Sequence, residues 1–445
     1  MHIYISGICG SGLAPLASLA CDLGIKVSGS DICESLAIKV LRDKNIRIDF
    51  SQDGGFIRQV QTEDPIDWFI FTSAIDPKTH PEYQFIKQWN KKNPEKQIRI
   101  SKRSQFLNFL IKKNNLKLIC VVGTHGKTTT TAMLVWLFQQ FKIAVSYLVG
   151  TNPLFTKSAK YQKSSQYFVY ECDEFDRNFL DFEPDYTVLT SLDYDHQDTY
   201  PSQEDYFDAF NTFLSKTRVW SLGWQKDLQK LNTFENVYIF DELILKEYLD
   251  KINLNGLHNR QNAYLAIQCF AKLGLWTDLD DLRSTISGFP GTQRRFEKLI
   301  NFVFTDYAHH PTEIAATIQL AQEFRLKNNL NNSKIVVVYQ PHQNTRQYQV
   351  RRDYKDCFNG VDYLFWTDTY LTRENLDLEI LSKTELANYV NQLGKQVFTV
   401  DLNQELSSKL QEFIKNGDIV IFMGAGTIDD YARSFVKNLI ETSVF

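Results

Sequence analysis

The chain has 445 residues, 43% of them hydrophobic and 23% charged, and a formal net charge of -4. That length holds about three domains of ordinary size, and the mildly acidic balance argues against the concentrated basic surface that nucleic-acid backbones require. No apolar run approaches the roughly 18 residues of a membrane span. Seven widely spaced cysteines without a CxxC fit reduced thiols rather than a disulfide framework. No basic-then-apolar leader precedes the first strand pattern, so a cytoplasmic location is expected, with neither nucleic acid nor membrane as partner. The 32 Phe and 21 Tyr are scattered through periodic segments and read as packing residues.

The first block, 1–110, opens with a strand at His2–Ser6 that runs into Gly7-Ile-Cys-Gly10-Ser11-Gly12 and a helix over Leu13–Leu23. Gly24 stops that helix, and the next strand ends in the acidic Asp31. A βαβ start with glycines on its first turn is a nucleotide-binding pattern, although the glycine spacing departs from GxGxxG and also suits tight helix–strand packing. Pro15 falls in the first helical turn, where its missing N–H costs no hydrogen bond. A further strand, Trp68–Thr72, leads into Ser73-Ala74-Ile75.

The second block, 111–297, follows the linker Lys112-Lys-Asn-Asn-Leu116 and holds the most specific signal. The apolar run Leu118–Val122 passes into Gly123-Thr124-His125-Gly126-Lys127-Thr128-Thr129 at a helix start. Helix N-terminal N–H groups and the helix dipole hold anions there. Lys127 can reach terminal phosphates, and the Thr128 hydroxyl can face a magnesium ion. Val121 stands where the general phosphate-loop pattern has its first glycine. A strand at Tyr167–Tyr170 ends in Glu171-Cys-Asp-Glu174, and one at Tyr186–Thr190 leads to Asp193-Tyr-Asp-His196. Acids and a histidine just past strand ends are where open α/β sheets place ligands, and Glu171 with His196 suits a hard cation. His258, Asn259 and Asn262 gather in the first turn of a later helix.

The third block, 298–445, restarts the alternation after the joint Phe289-Pro-Gly291. Phe302–Asp306 is a strand, His309-His310-Pro311 leads to a helix, and Ile335–Tyr339 runs into Gln340-Pro-His342. Neighbouring histidines on one short loop rarely converge on one ion, so His309 and His310 read as substrate contacts rather than zinc ligands. Arg294-Arg295 sits at a domain joint, a place for nucleotide contact or for a solvated pair. Strands alternating with helices throughout give an α/β protein with mainly parallel sheets.

Together these motifs resemble the Mur ligases over essentially the whole chain. The resemblance rests on Gly7–Gly12, Ser28–Asp31, Thr72–Ile75, Gly123–Thr131, Glu171–Glu174 and Asp195–Tyr200, and on His258–Asn262, Arg294–Phe296, Asp306–Glu313 and Gln340–His342. It implies three domains: a Rossmann-like N-terminal domain for a UDP-sugar, a central P-loop ATPase-like domain for ATP, and a Rossmann-like C-terminal domain for an amino acid. By the family pattern Lys127 contacts terminal phosphates, and Thr128, Glu171 and His196 bind magnesium. His258, Asn259 and Asn262 lie near adenine, and Arg294 and Asp306 contact the nucleotide. His309, His310, His342 and Arg346 arrange the amino-acid site. Asp31 and Thr72, Ser73 and Ala74 face the UDP-muramate portion, with Gly10, Ser11 and Gly12 near its diphosphate. The implied activity is ADP-forming ligation of L-alanine to the lactyl carboxylate of UDP-N-acetylmuramate through an acyl phosphate, by a monomer or weak homodimer. The family's recycling branch, which adds a murein tripeptide to the same sugar, is the alternative. The chain departs from the family's usual pattern at Cys9 and Ser11 in the first loop, with Pro15 entering the helix start, at Phe175 after the acidic motif, which resembles the recycling branch, and at His342-Gln-Asn-Thr-Arg346 in place of His-Arg-Tyr-Thr-Arg.

Overall fold

The computed structural model describes the chain apart from residues 35–37, 73–74, 233, 373, 391–394 and 443–445. Its strands fall into three sheets. The first holds five parallel strands in the order Arg47–Asp49, Lys26–Ser30, His2–Ser6, Trp68–Phe71 and Arg99–Lys102. The second is ordered Val237–Phe240, Trp220–Trp224, Tyr186–Leu189, Lys117–Val122, Tyr167–Glu171, Val145–Leu148 and Ala159–Lys160, parallel except for its last pair. The third runs Glu297–Ile300, Val303–Asp306, Ile419–Met423, Ile335–Tyr339, Tyr363–Trp366 and Gln396–Thr399, with its first pair antiparallel.

The residues explain these sheets. Strands such as Leu118–Val122 and Ile335–Tyr339 are continuous apolar runs and fully buried, as parallel strands covered on both faces must be. Helix Lys127–Gln140 follows the second sheet's central strand and buries ten residues.

Compactness divides the chain into two units, Met1–Lys251 with Asn262–Pro290, and Ile252–Gln261 with Gly291–Phe445. The first unit carries the first two sheets. The boundary expected at 110 falls inside helix Arg103–Lys113, and the one expected at 297 falls on the first residue of strand Glu297–Ile300. Among the described residues no helix is long and apolar enough to cross a membrane.

One buried acid ties the carboxyl ends of the first sheet together. Glu82, fully buried in the first turn of helix Pro81–Lys92, accepts hydrogen bonds from the hydroxyls of Tyr4 at 2.5 Å, Ser6 at 2.5 Å and Ser30 at 2.7 Å. Burial, reinforced by the Glu82 charge, pushes the Tyr4 phenol far up, so it stays a donor. Removing the acceptor strands three buried hydroxyls. Glu82→Ala is expected to cost about 2–4 kcal/mol of unfolding free energy. Urea denaturation checks this, and a change under about 0.5 kcal/mol, the ordinary range for a surface substitution, would contradict it.

Candidate functional site

The strand Lys117–Val122 lies between Tyr167–Glu171 and Tyr186–Leu189, so its carboxyl end opens between the two segments that carry the acidic residues. Gly123 turns the chain at φ +134, and a Cβ there would stand 2.5 Å from Thr190 Oγ1 and 2.6 Å from Ser191 O. Glycine is therefore required. The loop is pinned from the neighbouring strand's exit. Ser191 O accepts from the Thr124 N–H at 3.1 Å, Ser191 Oγ accepts from the His125 N–H at 2.8 Å, and the Thr124 hydroxyl donates to Asp193 O at 2.7 Å. His125 Nε2 sits 3.2 Å from Asp193. Gly126, at φ +82, opens helix Lys127–Gln140 without a side-chain cap, and a Cβ there would meet Asn262 Oδ1 at 2.6 Å. An uncapped helix start presents free N–H groups to an anion.

Two glutamates make contacts at this mouth, one with a lysine and one with a hydroxyl. Lys127 Nζ donates to Gly123 O at 2.6 Å and pairs with both oxygens of Glu174, at 3.0 and 2.9 Å. Burial opposes the lysine's charge, but Glu174 and then Asp173 outweigh it and hold the ammonium above its ordinary range. Thr128 Oγ1 donates to Glu171 Oε1 at 2.7 Å, while Glu171 Oε2 accepts the Gly150 N–H at 2.6 Å. Thr129 is buried in the same helical turn. His196, at φ +56, brings Nε2 to 3.5 Å from Glu174 Oε1. Burial favours its neutral form, yet Asp195 and Glu174 outweigh burial and raise its pKa. The Phe175 ring lies edge-on to the imidazole at 5.4 Å.

Hard oxygen donors with one imidazole suit magnesium, and two groups here offer them. Thr128 and Glu171 are in contact. Donor atoms of Asp173, Glu174 and His196 all lie within 4.8 Å of one another.

At the carboxyl edge of the first sheet, Asp31 Oδ2 accepts the Cys9 N–H at 2.7 Å and so fixes the glycine turn. Gly10 and Ser11 are exposed and Gly12 is half-buried just before helix Leu13–Asp22. The Thr72 N–H donates to Ser6 O at 3.3 Å, which brings Thr72 beside Gly7. Ser73 and Ala74 lie outside the described residues.

In the second unit, His258 and Asn259 occupy the first turn of helix Leu257–Lys272, which also carries Asn262. Burial drives the His258 pKa down to about 4, so its ring is neutral near pH 7. Asn259 Nδ2 donates to Asn255 O at 2.9 Å. Asp306 ends strand Val303–Asp306 and accepts the N–H groups of Phe296 at 2.6 Å and Ala308 at 2.8 Å. Burial pushes its pKa up. Arg294 donates to Gly424 O at 2.8 Å and lies over the Tyr307 ring. His309 Nδ1 sits 3.3 Å from Glu313, and its ring is 5.6 Å from that of His342, which stacks on Tyr370. His310 caps helix Pro311–Lys327, its Nδ1 accepting from the Thr312 N–H. Arg346 is buried in helix Asn344–Val350.

Three stretches match Mur ligase descriptions: residues 2–114 the catalytic domain of the family, 121–222 the middle domain and 294–426 the glutamate ligase domain. A UDP-N-acetylmuramate–L-alanine ligase from Levilactobacillus brevis is 30% identical over 473 residues, covering 99% of this chain and 98% of its own. The chain belongs to the Mur ligase family. A protein of the same name from Christiangramia forsetii is 29% identical over 99% of this chain and 98% of its own. Among solved structures, the UDP-N-acetylmuramate–alanine ligase of Thermotoga maritima superposes with TM-score 0.76 at 24% identity, over 99% of this chain and 100% of that one. A murein peptide ligase from Psychrobacter arcticus gives 0.63 at 22%, over 99% and 98%. Both share the fold.

Within this Mur ligase chain the structure brings Lys127, Thr128, Glu171 and His196 to one strand-end mouth, with Glu171 on Thr128 and His196 on Glu174. Sequence reasoning left Glu174 out of the candidate site, yet it is the carboxylate that pairs with Lys127. It closes the Glu171-Cys-Asp-Glu motif, in which Cys172 is fully buried, and no local signal separates its two glutamates. Arg103, also outside the sequence-derived set, directly follows the strand beside Trp68–Phe71 and donates to Asp173. Glu174 is 1% exposed against 13% for Lys127, so its loss leaves a buried ammonium without its partner. Glu174→Ala is expected to lower unfolding free energy by about 3–5 kcal/mol. Chemical denaturation measures it, and a loss below about 1 kcal/mol, the range of exposed ion pairs, would contradict it.

Proposed function

We propose that this chain ligates L-alanine to the lactyl carboxylate of UDP-N-acetylmuramate, converting ATP to ADP and phosphate. The observation that carries the reading is the phosphate loop with Lys127 held by Glu174 and Thr128 held by Glu171, in a chain whose full-length relatives bear that activity in their names. A carboxylate resists attack by an amine because its carbonyl carbon is shielded by negative charge. Phosphorylation supplies the leaving group, and the reaction then divides into phosphoryl transfer and amide formation.

The chain's residues divide in the same way. The uncapped start of helix Lys127–Gln140, placed by the Gly123–Gly126 turn, offers N–H donors to the ATP phosphates. Lys127 places a positive charge where the transferring group gains negative charge. One magnesium ion held by Thr128 and Glu171, and another by Glu171 and His196, would neutralise phosphate oxygens and orient them for transfer. Gly10, Ser11, Gly12, Asp31 and Thr72 receive the sugar nucleotide at the first sheet's carboxyl edge. His258, Asn259, Asn262, Arg294 and Asp306 serve the ATP nucleoside. His309, His310, His342 and Arg346 receive the alanine, whose amine attacks the acyl phosphate and expels phosphate. A substrate pair of ATP and a nucleotide-linked sugar fits a cytoplasmic reaction.

The test is ADP release with UDP-N-acetylmuramate and, in parallel, L-alanine, glycine, L-serine or murein tripeptide. L-alanine is expected to give the highest kcat/KM, and Lys127→Ala to lower turnover by about 1,000-fold, a loss typical for one preorganised charge at a transferring group. Near-normal turnover in the variant would sink the ligase reading, and a preference for tripeptide would replace alanine by the recycling substrate.

A further inference from the structure

The first two sheets share the first unit, and the Arg103 side chain reaches from the carboxyl edge of one to the acidic segment of the other. Arg103 follows strand Arg99–Lys102, which runs parallel to Trp68–Phe71 and thus to His2–Ser6. It therefore leaves the first sheet on the same edge as the glycine turn. Its guanidinium lies over that turn: a Cβ on Gly12 would stand 2.0 Å from Nη1 and 3.0 Å from Cζ. Its Nη2 donates to Asp173 Oδ2 at 2.8 Å. Asp173 precedes Glu174, the acid that holds Lys127. Adjacent acids thus hold two cations, one at the glycine turn and one at the phosphate loop.

We propose that Arg103 is a binding residue for the anionic oxygens of the sugar nucleotide, and that Asp173 positions it. This rests on the reading of the first sheet's edge as the sugar-nucleotide site. A guanidinium presents five donors in a planar fork suited to carboxylate or phosphate oxygens. Asp173 engages Nη2, and Nη1 faces the exposed glycine loop. A side chain larger than hydrogen at position 12 would displace the fork, which accounts for glycine at a position whose φ of -90° does not itself demand it. The same fork stands beside the acidic motif. An acid bound through Arg103 is therefore delivered toward the centre where Lys127 handles the transferring phosphate.

A purely structural strut would behave differently from a binding residue, and ligand binding separates them. Arg103→Gln and Arg103→Lys are compared with the unaltered full chain by calorimetry, using UDP-N-acetylmuramate, UDP and a non-hydrolysable ATP analogue, alongside thermal melting. The glutamine variant is expected to bind UDP-N-acetylmuramate roughly 10- to 100-fold more weakly, the worth of a charge-assisted hydrogen bond, with the ATP analogue unchanged within about twofold. The lysine variant, which keeps the charge without the fork, is expected to lose several-fold, and it carries the test should the glutamine variant fail to fold. Asp173→Asn is expected to weaken the same ligand through a misplaced Arg103. If UDP loses affinity in step, the contact is to the diphosphate. If UDP is untouched, it is to the lactyl carboxylate. Unchanged sugar-nucleotide binding, or an equal loss for the ATP analogue, overturns the proposal. Failure of the unaltered chain to bind UDP-N-acetylmuramate would instead overturn the functional reading beneath it.

Discussion

The buried pair between Lys127 and Glu174 is the constraint on which the site depends. A lysine that must meet phosphate needs a position fixed before the nucleotide arrives, yet an unpaired ammonium at 13% exposure is costly. Glu174 resolves this by pairing with both of its oxygens, and the carbonyl of Gly123 accepts a further hydrogen bond. Its backbone is fixed as well, since Glu174 O accepts from the fully buried Tyr200 hydroxyl at 2.5 Å. The acid also approaches His196, so one carboxylate organises a cation and an imidazole. Left-handed backbone at Asp176, Arg177 and His196 gathers around the same centre. Such conformations persist where surrounding contacts over-determine them.

Sheet topology sets what can meet there. In each of the three sheets a strand with parallel neighbours on both sides ends at a glycine: Ser6 before Gly7, Val122 before Gly123 and Met423 before Gly424. Parallel strands bring their carboxyl ends to one edge, and open sheets bind ligands in the crevice that forms there. The repetition lets related folds serve different ligands by changing the loops. In the first unit, the loops of two sheets are linked by Arg103 and Asp173, and a second pair from Lys102 to Asp176 at 2.5 Å runs alongside. The successive carboxylates of the acidic segment therefore reach toward groups from both sheets.

Much of the fold was legible because parallel strands buried on both faces leave unbroken apolar runs, as at Leu118–Val122, Ile335–Tyr339 and Ile419–Met423. The phosphate loop was legible because its glycines answer a local backbone demand, φ +134 at Gly123 and φ +82 at Gly126. What stayed hidden was long-range pairing. Nothing local marks Glu174 rather than Glu171 as the partner of Lys127, since the choice depends on how far Cys172 draws the chain into the core. Nor does the sequence reveal that Glu82 gathers hydroxyls from two strands, because a glutamate early in a helix reads first as a solvated residue. Arg103 was obscured in the same way. Its meaning comes from strand order, which places Arg99–Lys102 beside Trp68–Phe71 and its exit near Gly12.

If Lys127 serves phosphoryl transfer, Glu174 stores it and gives it over to phosphate when ATP binds. The most direct measurement is a crystal structure of the chain with magnesium and a non-hydrolysable ATP analogue. The terminal phosphate is expected within hydrogen-bond distance of Lys127 Nζ, with magnesium on Thr128 and Glu171. Nucleotide seated away from Gly123–Thr128, with Lys127 touching no phosphate, would contradict it.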